Sequence, residues 1–257
     1  MKSKLSFKEA YFFISHGLSS RDSEKITGIS SSTINLVNKN YGLNKAFNKI
    51  DTKEKAYTLG FILADAGISD KLNVDLQVSI DDKEVIEFIS RVINSRVFDN
   101  YNIDRKRRQF PHSRTSKKIK DITKFTGGKL KKDRHYPRIS KDLEPYLLQG
   151  FFDGDGCITW GRRKDRNRLW HKVSFTSSLS ILTGLQQYLY KQDIVTTVRP
   201  KSSENCFVLE FANKKDILKF YNLVYQDKDF IILKRKYIKY SALRLELEEN
   251  GEGYESK

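Results

Sequence analysis

Cysteine and long apolar runs are the two features that this 257-residue chain most lacks. Its two cysteines, Cys157 and Cys206, are too few for a disulfide framework, and their count and spacing argue against a zinc site. No apolar stretch reaches the roughly 18 residues that a membrane helix needs, and the Lys- and Ser-rich N-terminus carries no signal-peptide core. We therefore expect an intracellular protein of the host cell or organelle that neither spans a membrane nor follows the usual secretory route.

Acidic residues are scarce compared with basic ones. The chain has 48 Lys and Arg residues against 32 Asp and Glu residues, which gives a formal net charge of +16 and a pI near 9.6. Such a charge favours a polyanionic partner, because Lys and Arg neutralise phosphates and release condensed counterions. Hydrophobic residues make up 38% of the chain and aromatic residues 12%, so we expect a globular protein rather than a disordered one.

The phrase Gly-Phe-x-x-x-Asp occurs twice, each time at the end of an apolar helix-like run. The copies run from Gly60 to Asp65 and from Gly150 to Asp155, and the two aspartates are 90 residues apart. This repetition predicts two related halves that face each other across a pseudo-twofold axis. Gly60 and Gly150 lack Cβ atoms, so we predict that the two helices approach closely there. Asp65 and Asp155 would then project together at the helix C-termini, where the helix dipoles also favour cations.

Hydrophobic periodicity divides the chain into four parts. Residues 1–48 are predicted to form a small all-α module, residues 51–140 and 141–249 two halves, and residues 250–257 an acidic disordered tail. Each half reads as αββαββα, because a helical pattern recurs around segments that alternate apolar and polar residues. The expected fold class is therefore α+β, with two antiparallel sheets and a separate helical module.

The N-terminal module has the pattern of a helix, a turn at Gly28 and a second helix that opens with a run of serines. This order resembles a DNA-binding helix-turn-helix, whose second helix contacts DNA near its N-terminal end. Ser32 and Thr33 are therefore predicted to contact DNA. The alternative is a packing appendage in which the serine run serves only as an N-cap.

Basic residues are concentrated in the predicted hairpins of both halves. No acidic residue lies between Arg105 and Lys120, and Asp165 is the one acid between Arg162 and Lys172. A sheet face this positive favours DNA along it, and a β-ribbon fits the major groove. The alternative is a pair of solvated hairpin tips. The residues of the two halves predicted to contact DNA are Arg105, Arg107, Arg114, Lys118, Arg162, Arg163, Arg166, Arg168, His171, Lys172, Arg199 and Lys201.

Taken together, these residues resemble the LAGLIDADG homing endonucleases in their single-chain form with two motifs. The match runs through Leu59–Ala66 and Gln149–Gly156, and the second copy is close to the family consensus. The resemblance implies that the two aspartates are catalytic and bind magnesium or manganese, which prefer oxygen ligands and can activate water. The predicted metal-site residues are Asp65, Asp155, Ala66 and Gly156.

The resemblance also concerns the charged residues around the two motifs. Asp153 has no acidic counterpart in the first half, which has Leu63 there, so we expect Asp153 to cap or buffer rather than to catalyse. In this family a basic residue after the third helix of a half reaches toward the active-site water. Lys236 fits that place in the second half, and Lys132 is the candidate in the first. For each lysine the alternative is a solvated surface position.

The leading interpretation is a site-specific, metal-dependent endonuclease for double-stranded DNA. The resemblance implies saddle-shaped sheets in the major groove, a long asymmetric target, a monomer, and a gene carried by an intron or similar mobile element. Two alternatives use the same scaffold, a DNA-binding regulator that does not cleave and an RNA-splicing maturase. Because both aspartates are present, cleavage is favoured over binding alone.

Overall fold

The structure is a computed structural model that describes residues 20–34, 49–103, 109–162 and 169–249. Contacts between residues divide the chain into two units. The first unit takes the described parts of Met1–Ile50 and Ser69–Asp121, and the second takes Asp51–Ile68 and the described parts of Ile122–Lys257. The predicted tail, residues 250–257, lies outside the described residues.

The described helices and strands follow the predicted order. In chain order they are α1 (Ser20–Thr27), α2 (Lys53–Asp65), β1 (Gly67–Ile68), β2 (Asn73–Ser79), α3 (Lys83–Val92), β3 (Val97–Ile103), β4 (Gln109–Lys118), α4 (Ile122–Thr126), α5 (Glu144–Asp155), β5 (Gly156–Arg162), β6 (Leu169–Ser177), α6 (Leu179–Lys191), β7 (Thr197–Pro200), β8 (Phe207–Phe211), α7 (Lys214–Val224) and α8 (Lys234–Glu249). The strands form two four-stranded antiparallel sheets, in the orders β1-β2-β4-β3 and β5-β6-β8-β7. The predicted α+β fold with αββαββα halves is thus confirmed.

In the first unit, the sheet has one face covered by α3 and one face open. Leu76 on β2 lies opposite Thr115 on β4, and both are buried. Their neighbours Gln77 and Arg114 are also paired and are exposed, because successive side chains of a strand point to opposite faces. The apolar face of α3, which includes Ile86, packs against the buried face of these strands.

The second unit is built around aromatic residues of α5. Phe151 stacks on Phe175 of β6 with ring centroids 5.6 Å apart, and Phe152 meets Phe220 of α7 edge to face at 5.2 Å. All four rings are fully buried. Burial of such side chains removes large apolar areas from water, and offset or edge-to-face ring contacts add to that stabilisation.

Helix α2 lies within residues 51–140, the range predicted as the first half, and its contacts group it with the second unit. It begins after Thr52, whose hydroxyl accepts a hydrogen bond from the backbone N–H of Lys55. From Ala56 to Ala64 every residue is buried, as expected for a helix that is apolar on all sides. The helix packs along α5 and therefore belongs to the second unit.

Within the described ranges, none of the helices combines the length and the apolar content that crossing a lipid bilayer requires.

Candidate active site

Helices α2 and α5 cross in direct backbone contact at two glycines. A Cβ atom on Gly60 would lie 2.0 Å from the carbonyl oxygen of Leu147, and one on Gly150 would lie 2.0 Å from the carbonyl oxygen of Tyr57. Neither distance is possible for a real side chain, so both positions require glycine. The predicted helix interface therefore has a direct steric basis in the structure.

The close approach continues to the C-terminal ends of the two helices. A Cβ atom on Gly154 would lie 2.3 Å from the Cβ of Ala64 and 3.1 Å from Oδ2 of Asp65. The Asp65 carboxylate thus lies beside the backbone of the residue that precedes Asp155. Helix α2 ends at Asp65 and helix α5 ends at Asp155, so the crossing brings both acids to one place.

The two carboxylates lie where their charges are poorly compensated. Burial, opposed by Lys131 and assisted by nearby Asp65, raises the pKa of Asp155 to about 7. Asp65 keeps an exposed edge, yet loss of solvent around its carboxylate also raises its pKa, again opposed by Lys131. The Nζ atom of Lys131 lies 3.8 Å from Oδ1 of Asp155, whose side chain is 15% exposed. The excess negative charge would be relieved by a cation.

The acidic side chains that meet at this place are those of Asp65 and Asp155. Among the described residues, no group of three or more His, Cys, Asp and Glu side chains is arranged to hold a metal ion. Oδ2 of Asp155 is buried and has no hydrogen-bond partner among those residues. Backbone, water or substrate oxygens would have to complete a coordination shell, which is the usual arrangement for magnesium.

Lys236, the candidate lysine of the second half, lies at the C-terminal end of α5. Its side chain is 8% exposed, and Nζ donates hydrogen bonds to the carbonyl oxygens of Phe152 at 2.6 Å and Asp153 at 2.7 Å. Burial lowers the pKa of Lys236 to about 8, while the neighbouring Asp153 opposes the decrease. Lys236 therefore both caps the helix and changes its charge close to neutral pH.

Arg134 has the matching position at the end of α2, and the sequence did not identify it. It is 1% exposed, and its guanidinium donates to the carbonyl oxygens of Ile62 at 3.2 Å, Leu63 at 3.3 Å and Ala66 at 2.9 Å. The last carbonyls of a helix have no intrahelical partner, so a buried cation satisfies them in each half. The available signal was its place after the third helix of its half, which matches that of Lys236.

Asp153 faces the other motif helix and not the open end of the site. Its Oδ2 accepts a hydrogen bond from the hydroxyl of Tyr57 at 2.8 Å, and the residue is buried. With Lys236 nearby, this acid balances a buried positive charge and joins the two helices. That Asp153 caps or buffers rather than catalyses stays a prediction.

Lys132 is the lysine predicted for the first half, but the adjacent Lys131 lies nearer the carboxylates. Lys132 is exposed and lines a separate cleft, whereas its neighbour Lys131 approaches Asp155. Both belong to the single 3₁₀ turn Lys131–Asp133, in which successive side chains point in different directions. In the structure it is therefore Lys131, and not Lys132, that lies beside the carboxylates.

In the second sheet, the predicted DNA-contact residues that the structure describes are mostly exposed. Lys172 on β6 and Arg199 on β7 both form ion pairs with Glu210 on β8, at 3.1 Å for Lys172. Glu210 thus fixes two cations on the open face of the sheet. Arg162 and Lys201 are exposed as well.

His171 must be removed from the predicted DNA-contact residues of this open face. It precedes Lys172 on β6 and therefore points to the opposite side of the sheet. That side also carries Val173 and Phe175, which are fully buried. Burial lowers the pKa of His171, which disfavours a charged imidazole there.

In the first sheet, Arg114 and Lys118 lie exposed on β4, and Arg114 forms an ion pair with Asp75 at 3.0 Å. Several of the predicted residues belong to segments outside the described residues, and for these the prediction stands as stated. They are Arg105, Arg107, Arg163, Arg166 and Arg168.

The described part of the N-terminal module has a helix, a glycine turn and the start of a second helix. Gly28 ends α1 with a φ of +70°, and residues 31–34 are helical. Ser30 caps them, because its hydroxyl accepts a hydrogen bond from the backbone N–H of Thr33 at 3.3 Å. Ser32 is exposed, and Thr33 is partly exposed. Contact with DNA by these residues remains a prediction.

Helices α2 and α5 cross at two glycines, and each helix ends in an acid and leads into an antiparallel sheet. This arrangement places the chain in the LAGLIDADG fold class. Residues 142–225 match the family model described as a LAGLIDADG-like domain. The resemblance inferred from the two motifs is thereby confirmed for the second half and, by the architecture, for the fold as a whole.

Solved structures with this architecture agree with that assignment. The chain is similar to the homing endonuclease I-GzeII in complex with its DNA target, with a TM-score of 0.52, 9% identity, and coverage of 77% of this chain and 92% of that one. It is similar to I-WcaI bound to its DNA recognition sequence, with a TM-score of 0.53, 20% identity, and 77% and 91% coverage. For I-SmaMI bound to uncleaved DNA with calcium ions, the TM-score is 0.54, the identity 10%, and the coverage 79% and 93%. These likenesses show the fold.

One curated protein also matches the sequence. It is the DNA polymerase of Methanocaldococcus jannaschii, which is 30% identical over 167 residues. The match covers 61% of this chain, and the chain spans 9% of the polymerase.

Proposed function

We propose that this chain is a site-specific endonuclease that hydrolyses double-stranded DNA with the help of a divalent cation. The observation that carries the proposal is the pair of carboxylates, Asp65 and Asp155, brought to one point by helices that cross through glycine. The basic open faces of the sheets and the likeness to endonucleases bound to DNA support DNA as the substrate.

Magnesium or manganese is the proposed cofactor, and the residues present fit it. The raised pKa of both carboxyls and the buried Oδ2 of Asp155 without a partner indicate uncompensated negative charge that a hard cation would neutralise. The backbone carbonyl of Ala66 already accepts a hydrogen bond from Arg134. We therefore propose that the carboxylates of Asp65 and of Asp155, which precedes Gly156, are the protein ligands of the cation. When bound, the cation would activate water and stabilise the leaving oxygen of a phosphodiester.

Three cations around the carboxylates would have separate tasks. Arg134 and Lys236 hold the ends of α2 and α5 by their carbonyl oxygens, which fixes where each acid projects. With a pKa of about 8, Lys236 could accept or release a proton near neutral pH. Lys131 is half exposed beside Asp155 and would meet a DNA phosphate next to the bond that is cut.

Both sheets would contribute basic residues to DNA binding. Their exposed basic residues differ in identity and position, so one chain acting as a monomer would read a long and asymmetric target. We further propose that the module of residues 1–48 adds contacts at one end of that target through Ser32 and Thr33. Deleting the module should shorten the footprint at one end and leave the cleavage position unchanged. A footprint of unchanged length would assign the module to packing.

The test of the main proposal is cleavage of the gene's own flanking DNA with the insertion removed. We expect wild-type protein to cut this duplex in magnesium or manganese, and Asp65→Asn and Asp155→Asn to bind it within a few-fold of wild type without cutting. Asp193→Asn is the matched control, since Asp193 is an exposed acid of the same unit. Cutting by either active-site variant at the wild-type rate would overturn the site assignment. Tight binding by a wild type that never cuts would indicate the non-cleaving regulator.

A further inference from the structure

A cleft of about 870 Å³ in the second unit is lined by neither of the active-site aspartates. It lies between the segment after α4 and the first turns of α6. Four of its lining residues are Lys, Arg or His, and among the described residues that line it there is no Asp or Glu. The four are Lys124, Lys132, His135 and Arg138.

The walls of the cleft are set by close backbone approaches. A Cβ on Gly184 of α6 would lie 2.6 Å from the Cβ of Tyr136, so the glycine lets that segment lie against the helix. Gly127 has a φ of +80°, and a Cβ there would lie 2.0 Å from Nδ1 of His135. The backbone N–H of His135 also donates to the carbonyl of Thr126 at 3.0 Å. The basic side chains therefore project from a fixed frame.

The N-terminus of α6 opens into this cleft with an unused hydroxyl. Ser178 is the N-cap residue of this 13-residue helix and lines the cleft, yet its side chain makes no capping hydrogen bond. It is 7% exposed, and its Oγ has no hydrogen-bond partner among the described residues. A buried hydroxyl without a partner is costly, and the first backbone N–H groups of a helix also lack intrahelical acceptors. All of these groups would be satisfied by an oxyanion.

We propose that this cleft is a phosphate-binding site. A helix N-terminus offers N–H donors and a partial positive charge to an anion, and the surrounding Lys132 and Arg138 supply full charges. A carboxylate ligand would use these groups less fully than a phosphate, which has more acceptor oxygens. The phosphate could come from a nucleic-acid backbone or from free phosphate, and the experiment separates these sources. The proposal does not depend on cleavage of DNA.

The test follows the ring protons of His135 by NMR in the full chain at constant pH and ionic strength. The chain has four histidines, and His112 and His171, which do not line the cleft, are internal references. We expect inorganic phosphate, added in exchange for chloride, to shift the His135 signals to saturation and leave the two references in place. An unmoved His135, with both phosphate and duplex DNA, would overturn the proposal.

Variants in exposed residues test the assignment without disturbing the fold. Lys132→Ala and Arg138→Ala should each weaken phosphate binding roughly tenfold, as loss of a charge-assisted hydrogen bond does. Lys191→Ala, at an exposed position on the far end of α6, is the matched control and should change nothing. Unaltered phosphate binding by both cleft variants would also refute the site.

Adding a duplex oligonucleotide to the same sample identifies the source of the phosphate. If the backbone of DNA occupies the cleft, the duplex should shift His135, and the double variant Lys132→Ala, Arg138→Ala should lower the salt slope of binding by roughly 1 to 2. If only free phosphate shifts His135, the site serves a small phosphate-containing ligand. Neither readout uses cleavage, so a failure of the proposed nuclease activity would leave both interpretable.

Discussion

The substitution Asp155→Asn should stabilise the metal-free protein while it abolishes cleavage. The carboxyl has a pKa of about 7 in the folded chain against an ordinary value of 3.8, because burial and the nearby Asp65 disfavour its charge. Between these two pH values the folded state holds a proton that the unfolded state has released. The stability of the wild type therefore decreases as the pH rises through this window, and the amide, which cannot ionise, avoids that loss.

The magnitude follows from the size of the shift. A shift of about 3 units at about 1.4 kcal/mol per unit gives an upper limit of roughly 4 kcal/mol at pH 8. Water penetration and relaxation reduce this figure, so we expect a gain of about 1–2 kcal/mol. At pH 4.5 the same linkage leaves roughly a quarter of the gain, because most of the carboxyl is then protonated in the folded state.

The assay is denaturant unfolding of wild type and Asp155→Asn in a chelating buffer at pH 8 and pH 4.5. Magnesium added at pH 8 should stabilise the wild type and not the variant, since a ligand of the folded state raises its stability. Asp153→Asn is the control on the same helix: its carboxylate accepts from Tyr57 and balances Lys236, so this change should destabilise the protein. A loss of stability in Asp155→Asn at pH 8, or a gain equal at both pH values, would refute the reasoning.

Three further changes test the helix crossing, the buried lysine and the open sheet. Gly150→Ala should destabilise the protein by roughly 2–3 kcal/mol, because the added Cβ would strike a backbone carbonyl. Helix propensity alone predicts the opposite, a gain of about 1 kcal/mol, so the sign of the stability change measured by thermal unfolding decides between them. Lys236→Met should lower the cleavage rate roughly 100-fold with unchanged affinity for duplex DNA, as single-turnover and binding assays would show. Changing Lys172 and Arg199 together to Ala should lower the salt slope of DNA binding by roughly 1 to 2, measured by titrations at several salt concentrations.

Matched substitutions separate these effects from general damage. Gly161→Ala is the control for the crossing, since its Cβ would meet only the edge of Trp170 at 3.2 Å. Lys239→Met removes an exposed cation of the same helix as Lys236 and should leave cleavage intact. Lys191→Ala removes a lysine outside the sheet and should leave the salt slope unchanged. If a control variant behaves like its partner, the corresponding interpretation is wrong.

The sequence predicted the crossing helices because the information there is local. Gly60 and Gly150 stand at the same position of two similar motifs, and an acid follows each at a fixed spacing, so the geometry needs no knowledge of the rest of the chain. The face of His171 could also have been assigned, since the apolar residues Val173 and Phe175 two and four positions later fix the alternation of β6.

Other parts of the site depend on contacts that sequence patterns do not encode. Arg134 is buried by residues 68 to 72 positions earlier in the chain, and an arginine in a basic segment carries no mark of such burial. The choice between Lys131 and Lys132 is made by a three-residue turn, which has no periodicity to read. The assignment of α2 to the second unit likewise depends on packing against α5 and not on position along the chain.

The crossing of α2 and α5 is a joint made of main-chain atoms, in which the carbonyl oxygens of Tyr57 and Leu147 face the two glycines. Every amino acid has the same backbone carbonyl, so the contact at the two glycines depends little on the surrounding side chains. Motif helices from different proteins of this architecture should therefore be exchangeable in chimeras that keep both glycines. The same property lets the two motifs of one chain diverge, as they have at Leu63 and Asp153, with Tyr57 of the opposite helix hydrogen-bonded to the added carboxylate.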